Sequence, residues 1–205
     1  MRLGLSVRLL ALGFALGTAS MSRAQIVDFE SVPVGMMFGS PASDSPGDVV
    51  LTQEGIRMSV ENYFLGAFTG FNFAQVGGAF DAFFPTTPLE INNISTRFDF
   101  TGLASNVTRV TIEYQEFGGT DNFAVNDQTI HQLSSLAAIP FNVAPGVTAS
   151  VSGGLITLNG AINSVRIGGQ ELAIDNVTAV PEPGTALLIG LGAGWLVHRR
   201  RGRVR

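Results

Sequence analysis

Val107-Thr108-Arg109-Val110-Thr111-Ile112-Glu113-Tyr114 is the stretch that decides how this chain folds. From Arg109 onward polar and apolar side chains alternate, and five of the eight residues are β-branched. A period of two places one set of side chains on each face of an extended backbone, the mark of a half-buried β-strand. β-branched side chains suit that pleated surface.

The same pattern spreads in both directions. Upstream, residues 97–100 alternate, as does Ile26-Val27-Asp28-Phe29-Glu30, apolar against acidic. Downstream, Asn122-Phe123-Ala124-Val125 and Gln128-Thr129-Ile130-His131 flank Asn126-Asp127, two residues that tolerate positive φ and so predict a tight hairpin. Residues 147–151 and 155–158 flank Ser152-Gly153-Gly154, a second hairpin, while residues 164–167 and 172–179 bracket the break Gly168-Gly169-Gln170. Short strands spaced about eight to twelve residues apart predict an all-β domain, a single β-sandwich or jelly roll. With no internal repeat and no Pro/Ser-rich linker, residues 25–179 read as one domain.

Composition narrows the function classes. Hydrophobic residues make up 45% of the 205 and charged residues 14%, which excludes a disordered acidic chain. There is no Cys, so disulfides, thiolate metal sites and cysteine redox chemistry are excluded. The net charge of −4 conceals an asymmetry: all twelve basic residues are Arg, and eight sit near the two ends. Residues 25–180 hold four arginines against fifteen acidic side chains, a balance of −11. Phosphate backbones would be repelled, so nucleic acid is not the expected partner, and divalent cations are the more natural one.

Both ends are apolar, with different meanings. Arg2 and Arg8 precede the apolar residues 9–18, and Ser22-Arg23-Ala24 precedes Gln25. A positive start, a short apolar centre and small residues at −3 and −1 predict a secretory signal peptide over residues 1–24, cut between Ala24 and Gln25. At the other end Val180-Pro181-Glu182-Pro183-Gly184 leads into an apolar run over 185–197, then His198 and Arg199-Arg200-Arg201-Gly202-Arg203. A helix over that run would be about 20 Å long, a short membrane helix. Its Arg cluster should stay cytoplasmic and leave the body outside.

Pro181-Glu182-Pro183, a Gly-containing apolar helix and a terminal Arg cluster, in that order over residues 180–205, resemble the PEP-CTERM sorting signal. A similar tail is attached to some ice-binding proteins. The resemblance implies that Pro181, Glu182, Pro183, Gly184, Arg199, Arg200 and Arg201 form the sorting motif and that export machinery and an exosortase are the partners. It also implies transient anchoring in the inner membrane by the C-terminal helix, removal of the tail, and delivery to the cell surface or extracellular matrix.

Within the body, Ser-Pro-Ala-Ser-Asp-Ser-Pro-Gly-Asp over residues 40–48 reads as a polar surface loop. Tyr63, Phe64, Phe68, Phe71, Phe73, Phe80, Phe83 and Phe84 crowd one glycine-punctuated segment. A sugar-stacking platform is one reading. The body lacks Trp, however, and Phe more often fills a core, so these rings are expected to be packed inside.

Asp28 and Glu30 should share one face of the first strand. Ile174-Asp175-Asn176-Val177 breaks alternation and suggests a bulge that aims Asp175. An N-terminal Phe-Glu together with a C-terminal Ile-Asp-Asn-Val is similar to jelly-roll carbohydrate-binding modules. That resemblance implies a structural Ca²⁺ held by Glu30 and Asp175, with Asp28 a lesser third; the alternative is that these are solvated edge carboxylates. Tyr114, Gln115, Asp121 and Asn122 lie in the densest polar and aromatic cluster and form a candidate ligand-binding edge, for a polysaccharide. Glu113 and Glu116 point to opposite faces of one strand, not across a cleft as glycoside hydrolysis requires. One His in the body and no Gly-x-Ser-x-Gly leave nucleophilic catalysis without parts. The expectation is a non-enzymatic binding or structural module; the alternatives are a purely structural Ca²⁺-stabilised matrix protein and, less favoured, a glycan-active hydrolase working through Glu113 and Glu116.

Overall fold

The computed structural model describes residues 23–182; the signal peptide, the apolar run over 185–197 and the Arg cluster lie outside the described residues. Among the described residues there is no α-helix, and the strands are β1 (Gln25–Val27), β2 (Met37–Gly39), β3 (Val49–Gln53), β4 (Ile56–Glu61), β5 (Tyr63–Leu65), β6 (Phe68–Gly70), β7 (Phe73–Val76), β8 (Leu89–Asn92), β9 (Ile94–Asp99), β10 (Val107–Val125), β11 (His131–Leu133), β12 (Asn142–Ala144), β13 (Val147–Ser152), β14 (Leu155–Ile162) and β15 (Ser164–Pro181). The all-β reading holds.

The opening stretch forms the first half of β10, a 19-residue strand antiparallel to the 18-residue β15. Together they are the spine of one 13-stranded antiparallel sheet, with β5 and β6 making a separate small hairpin. The register shifts between Thr111 and Glu113, between Glu116 and Gly118, and between Gly118 and Asp121. Each shift is a bulge that bends the strand and adds twist. Two arms result. In one, β14, β13 and β12 extend from the first half of β10, while β1 and β8, then β7 and β2, extend from the last part of β15. In the other, β11 flanks the end of β10 and β9, β4 and β3 extend from the first part of β15.

One hydrophobic cluster takes side chains from both arms: Val110, Ile112, Ile156 and Leu158 from the first, and Ile56, Met58, Val60, Phe98, Phe123, Val165 and Ile167 from the second. Each such fully buried side chain contributes about 1.5–3 kcal/mol. Alternation delivers them. In β4, Ile56, Met58 and Val60 face the core, which turns Arg57, Ser59 and Glu61 to the other side.

The turn chemistry is partly as expected. Asn126 and Asp127 both have positive φ (54° and 53°), and Gln128 N–H donates to Val125 O. Pairing resumes only at His131, so residues 128–130 are loop and not strand. Gly153 and Gly154 (φ 58° and 77°) close a two-residue hairpin with Ser152 opposite Leu155. The break expected at Gly168-Gly169-Gln170 is absent, because β15 runs straight through. A Cβ on Gly168 would lie 2.6 Å from Ile94 O and from Ser95 Cα, so this glycine answers a close backbone approach, not a turn.

The aromatic segment also departs from expectation. Of its rings only Tyr63 is fully buried; Phe68 and Phe83 are 56% and 61% exposed, and the rest are half-buried. In β7 the small residues Ala74 and Val76 take the inward positions, which leaves Phe73 on the other face. The core is filled by aliphatic side chains from longer strands, and the phenylalanines clad its edge.

Candidate functional site

Strand β1 ends at Val27, and Phe29 adopts φ 58° with its ring fully buried. Asp28 and Glu30 therefore flank a turn and go separate ways. Asp28 Oδ1 accepts from Gln53 Nε2 at 2.6 Å. Glu30 Oε1 accepts from Thr87 N–H at 2.6 Å. Asp175 lies at the expected bulge, where Asn176 has φ 49°, and its side chain is fully buried. It accepts from Thr86 Oγ1 and, at 2.7 Å, from Asn176 N–H. Thr86 and Thr87 thus draw Glu30 and Asp175 to one place, while Asp28 stays apart.

Glu113 is directly opposite Asp175 in the β10–β15 register, and its Oε2 accepts from Asn176 Nδ2 at 3.2 Å. Burial, with help from Glu113 and Glu30 and against the two hydrogen bonds, pushes the Asp175 carboxyl up to about 6. Carboxylate and carbonyl oxygens are the donors Ca²⁺ prefers. Even so, among the described residues no group of three or more His, Cys, Asp or Glu is arranged to hold a metal ion, and the Asp175 oxygens already accept hydrogen bonds.

The candidate binding edge divides in two. Asp121 and Asn122 are inside, 2% and 0% exposed, so neither can meet a ligand. Asn122 clamps β5, accepting from Phe64 N–H at 2.7 Å and donating to Phe64 O at 2.8 Å. Burial first, then the neighbouring Glu116, pushes the Asp121 carboxyl up to about 8. Its Oδ1 has no hydrogen-bond partner among the described residues. Glu116 in turn accepts from Ser135 Oγ at 2.9 Å and from Leu136 N–H. That commitment separates it from Glu113, which faces Asn176.

Tyr114 and Gln115 do reach the surface. With Phe83, Phe84, Pro85, Glu113 and the Gly153–Gly154 turn they line a cleft of about 340 Å³. Phe83 meets Phe117 edge-on at 4.9 Å, and Phe80 stacks on Phe117 at 3.6 Å with 8° between planes. These contacts hold exposed rings beside a tyrosine and a glutamine, a wall that is apolar with a few polar handles.

A second groove, about 440 Å³, was missed in the sequence. The outward row of β4, β9 and β15 places Arg57, Glu61, Arg97, Asp99 and Arg166 there, with Asp127 from the turn after β10. Arg57 bonds Asp99 at 2.5 Å, Arg97 bonds Asp127 through Nε and Nη2 at 2.7 Å each, and Arg166 meets Glu61 at 3.2 Å. The Asp127 hydrogen bond holds Arg97 above its ordinary value and, reciprocally, holds Asp127 below its own. Burial pushes Asp99 up, but bonds from Thr101 and Arg57 outweigh it and leave it below the usual range. The readable signal was the alternation Arg57-Met58-Ser59-Val60-Glu61 and Arg97-Phe98-Asp99, which aligns charges on one face.

Strand β15 carries the body to its edge. It ends at Pro181, which is buried opposite Val107, and Glu182 N–H donates to Asn106 O at 2.8 Å. The Pro-Glu-Pro run thus starts where the sheet stops. Residues 179–201 match the PEP-CTERM protein-sorting motif. A PEP-CTERM motif implies an exported protein sorted to the cell envelope or surface, and it is associated with processing by an exosortase. No curated protein and no solved structure matches the chain. Among the described residues no helix is long and apolar enough to cross a membrane; the apolar run of the PEP-CTERM tail lies outside them. Strand β1 opens on Gln25, the first residue of the mature chain expected from the sequence.

Proposed function

We propose that this is an exported, exosortase-processed protein of the cell surface or extracellular matrix, whose body binds polysaccharide without transforming it. A signal peptide starts its export, and the short C-terminal helix holds it in the inner membrane until the tail is cut. The body works as a β-sandwich of the jelly-roll kind, its two sheet arms closing over the shared core. The observation that carries the binding reading is the cleft of Tyr114, Gln115, Phe83 and Phe84, apolar rings that sugars can stack on beside groups that hydrogen-bond hydroxyls. A glycan screen of the mature protein tests it. Tyr114→Ala should weaken binding of neutral oligosaccharides at least tenfold while the protein still melts cooperatively, and a screen with no binder would refute it.

A second reading is a matrix protein stabilised by structural Ca²⁺ with no glycan affinity. What supports it is that Glu30 and Asp175 accept from the adjacent residues Thr87 and Thr86. It requires that a chelator lower the melting temperature. An unchanged melting temperature removes it.

A further inference from the structure

The groove of arginines and acids has a feature that ion pairing alone does not explain. Arg166 and Arg97 are direct cross-strand partners in the β15–β9 register. Like charges directly opposite one another destabilise a sheet. Both side chains are also largely buried, at 21% and 19% exposure for Arg97 and Arg166, so their repulsion is poorly screened by water. Glu61, Asp99 and Asp127 match the three arginines of the groove charge for charge, so what stands out is the two adjacent guanidiniums and not a net positive charge. Taking such partly buried charges out of water costs energy that their ion pairs only roughly repay, so pairing adds little net stability. A sheet held only for stability gains nothing from two guanidiniums side by side. A surface that receives an anion does.

Three of the four arginines between residues 25 and 180 converge here, in a body otherwise dominated by acidic residues. We propose that this groove binds a carboxylate-bearing sugar, a uronic-acid unit of an acidic polysaccharide, with the carboxylate between Arg97 and Arg166. Each guanidinium has five N–H donors, more than its acidic neighbour engages. The sugar hydroxyls are met by Ser59, Glu61 and Asp99, side chains already held in place and so costing little entropy to order. A volume of about 440 Å³ lies in the range of small-ligand sites. The acids elsewhere in the body are screened beyond about 8 Å at physiological salt, and the incoming carboxylate competes only with Glu61, Asp99 and Asp127 for the guanidinium donors. No aromatic ring lines the groove, and it shares no lining residue with the cleft at Tyr114. The proposal rests on the polysaccharide-binding reading and divides it between a neutral and an acidic site.

Titration calorimetry of the mature protein with an oligogalacturonate and with a neutral cello-oligosaccharide of equal length tests both. Arg166→Gln should weaken oligogalacturonate binding at least tenfold and leave the neutral ligand unchanged; Tyr114→Ala should do the reverse. Raising the salt concentration should weaken only the acidic ligand. Arg57→Gln, at the exposed end of the groove, gives a second variant should Arg166→Gln fail to fold, and a fewfold loss is expected. Neutral binding with no oligogalacturonate binding overturns this proposal alone. Oligogalacturonate binding that both groove variants leave intact overturns it too. No binding of either ligand overturns the polysaccharide reading with it.

Discussion

Asp121→Asn isolates the most unusual charge in the body. Asp121 is buried on β10 opposite Gly169 of β15, where a Cβ on that glycine would stand 2.7 Å from its Oδ1, and it lies beside Glu116. Its folded value of about 8 lies above the ordinary carboxyl value, so the native state binds a proton that the unfolded chain releases. The stabilisation is therefore complete below about pH 4 and is lost as pH rises through 8. A shift of about four units sets a ceiling near 5 kcal/mol. Relaxation and water penetration around the buried carboxyl reduce this, and about 2 kcal/mol is the expectation. For a domain of this size that is about 4–8 °C in melting temperature. Asn keeps the shape and a donor for Glu116 but does not titrate. Thermal melts from pH 6.5 to 9, above the window in which Asp175 titrates, should show the wild type losing stability and Asp121→Asn nearly flat. A parallel fall in both proteins would refute the assignment.

Two further substitutions test the packing. Gly168→Ala should destabilise the protein by about 2 kcal/mol or more in urea unfolding, since its Cβ would meet the backbone of Ile94 and Ser95 across the β15–β9 pair; a neutral result would show that the strands can part there. Asn122→Ala strips both hydrogen bonds from Phe64 and should cost about 2 kcal/mol, with faster amide exchange at β5.

What the sequence showed and hid follows from the range of each interaction. Alternation in residues 107–114 is local, and it marked β10 correctly. Gly153-Gly154 is a turn because φ must be positive there, a condition set within two residues. Gly168-Gly169 looks the same on paper, yet its cause is Ser95 on a neighbouring strand, which no local pattern contains. The same limit misplaced Asp121 and Asn122. Polar residues near a turn read as surface, but bulges at Gly118 and Gly119 carry them inside. Burial of Tyr63 alone among the clustered rings depends on which strands fill the core, again a tertiary fact. Glu30 and Asp175 were brought together by the family resemblance, and the structure adds Thr86 and Thr87 as the residues that join them. The Arg97–Arg166 pairing was invisible because register between strands about seventy residues apart cannot be read from either strand alone.

The PEP-CTERM match anchors the account, and intact-mass spectrometry of the extracellular protein tests it most directly. The account predicts a chain that begins at Gln25 and lacks residues 185–205. Recovery of the extracellular form with Arg199, Arg200 and Arg201 still attached would contradict it.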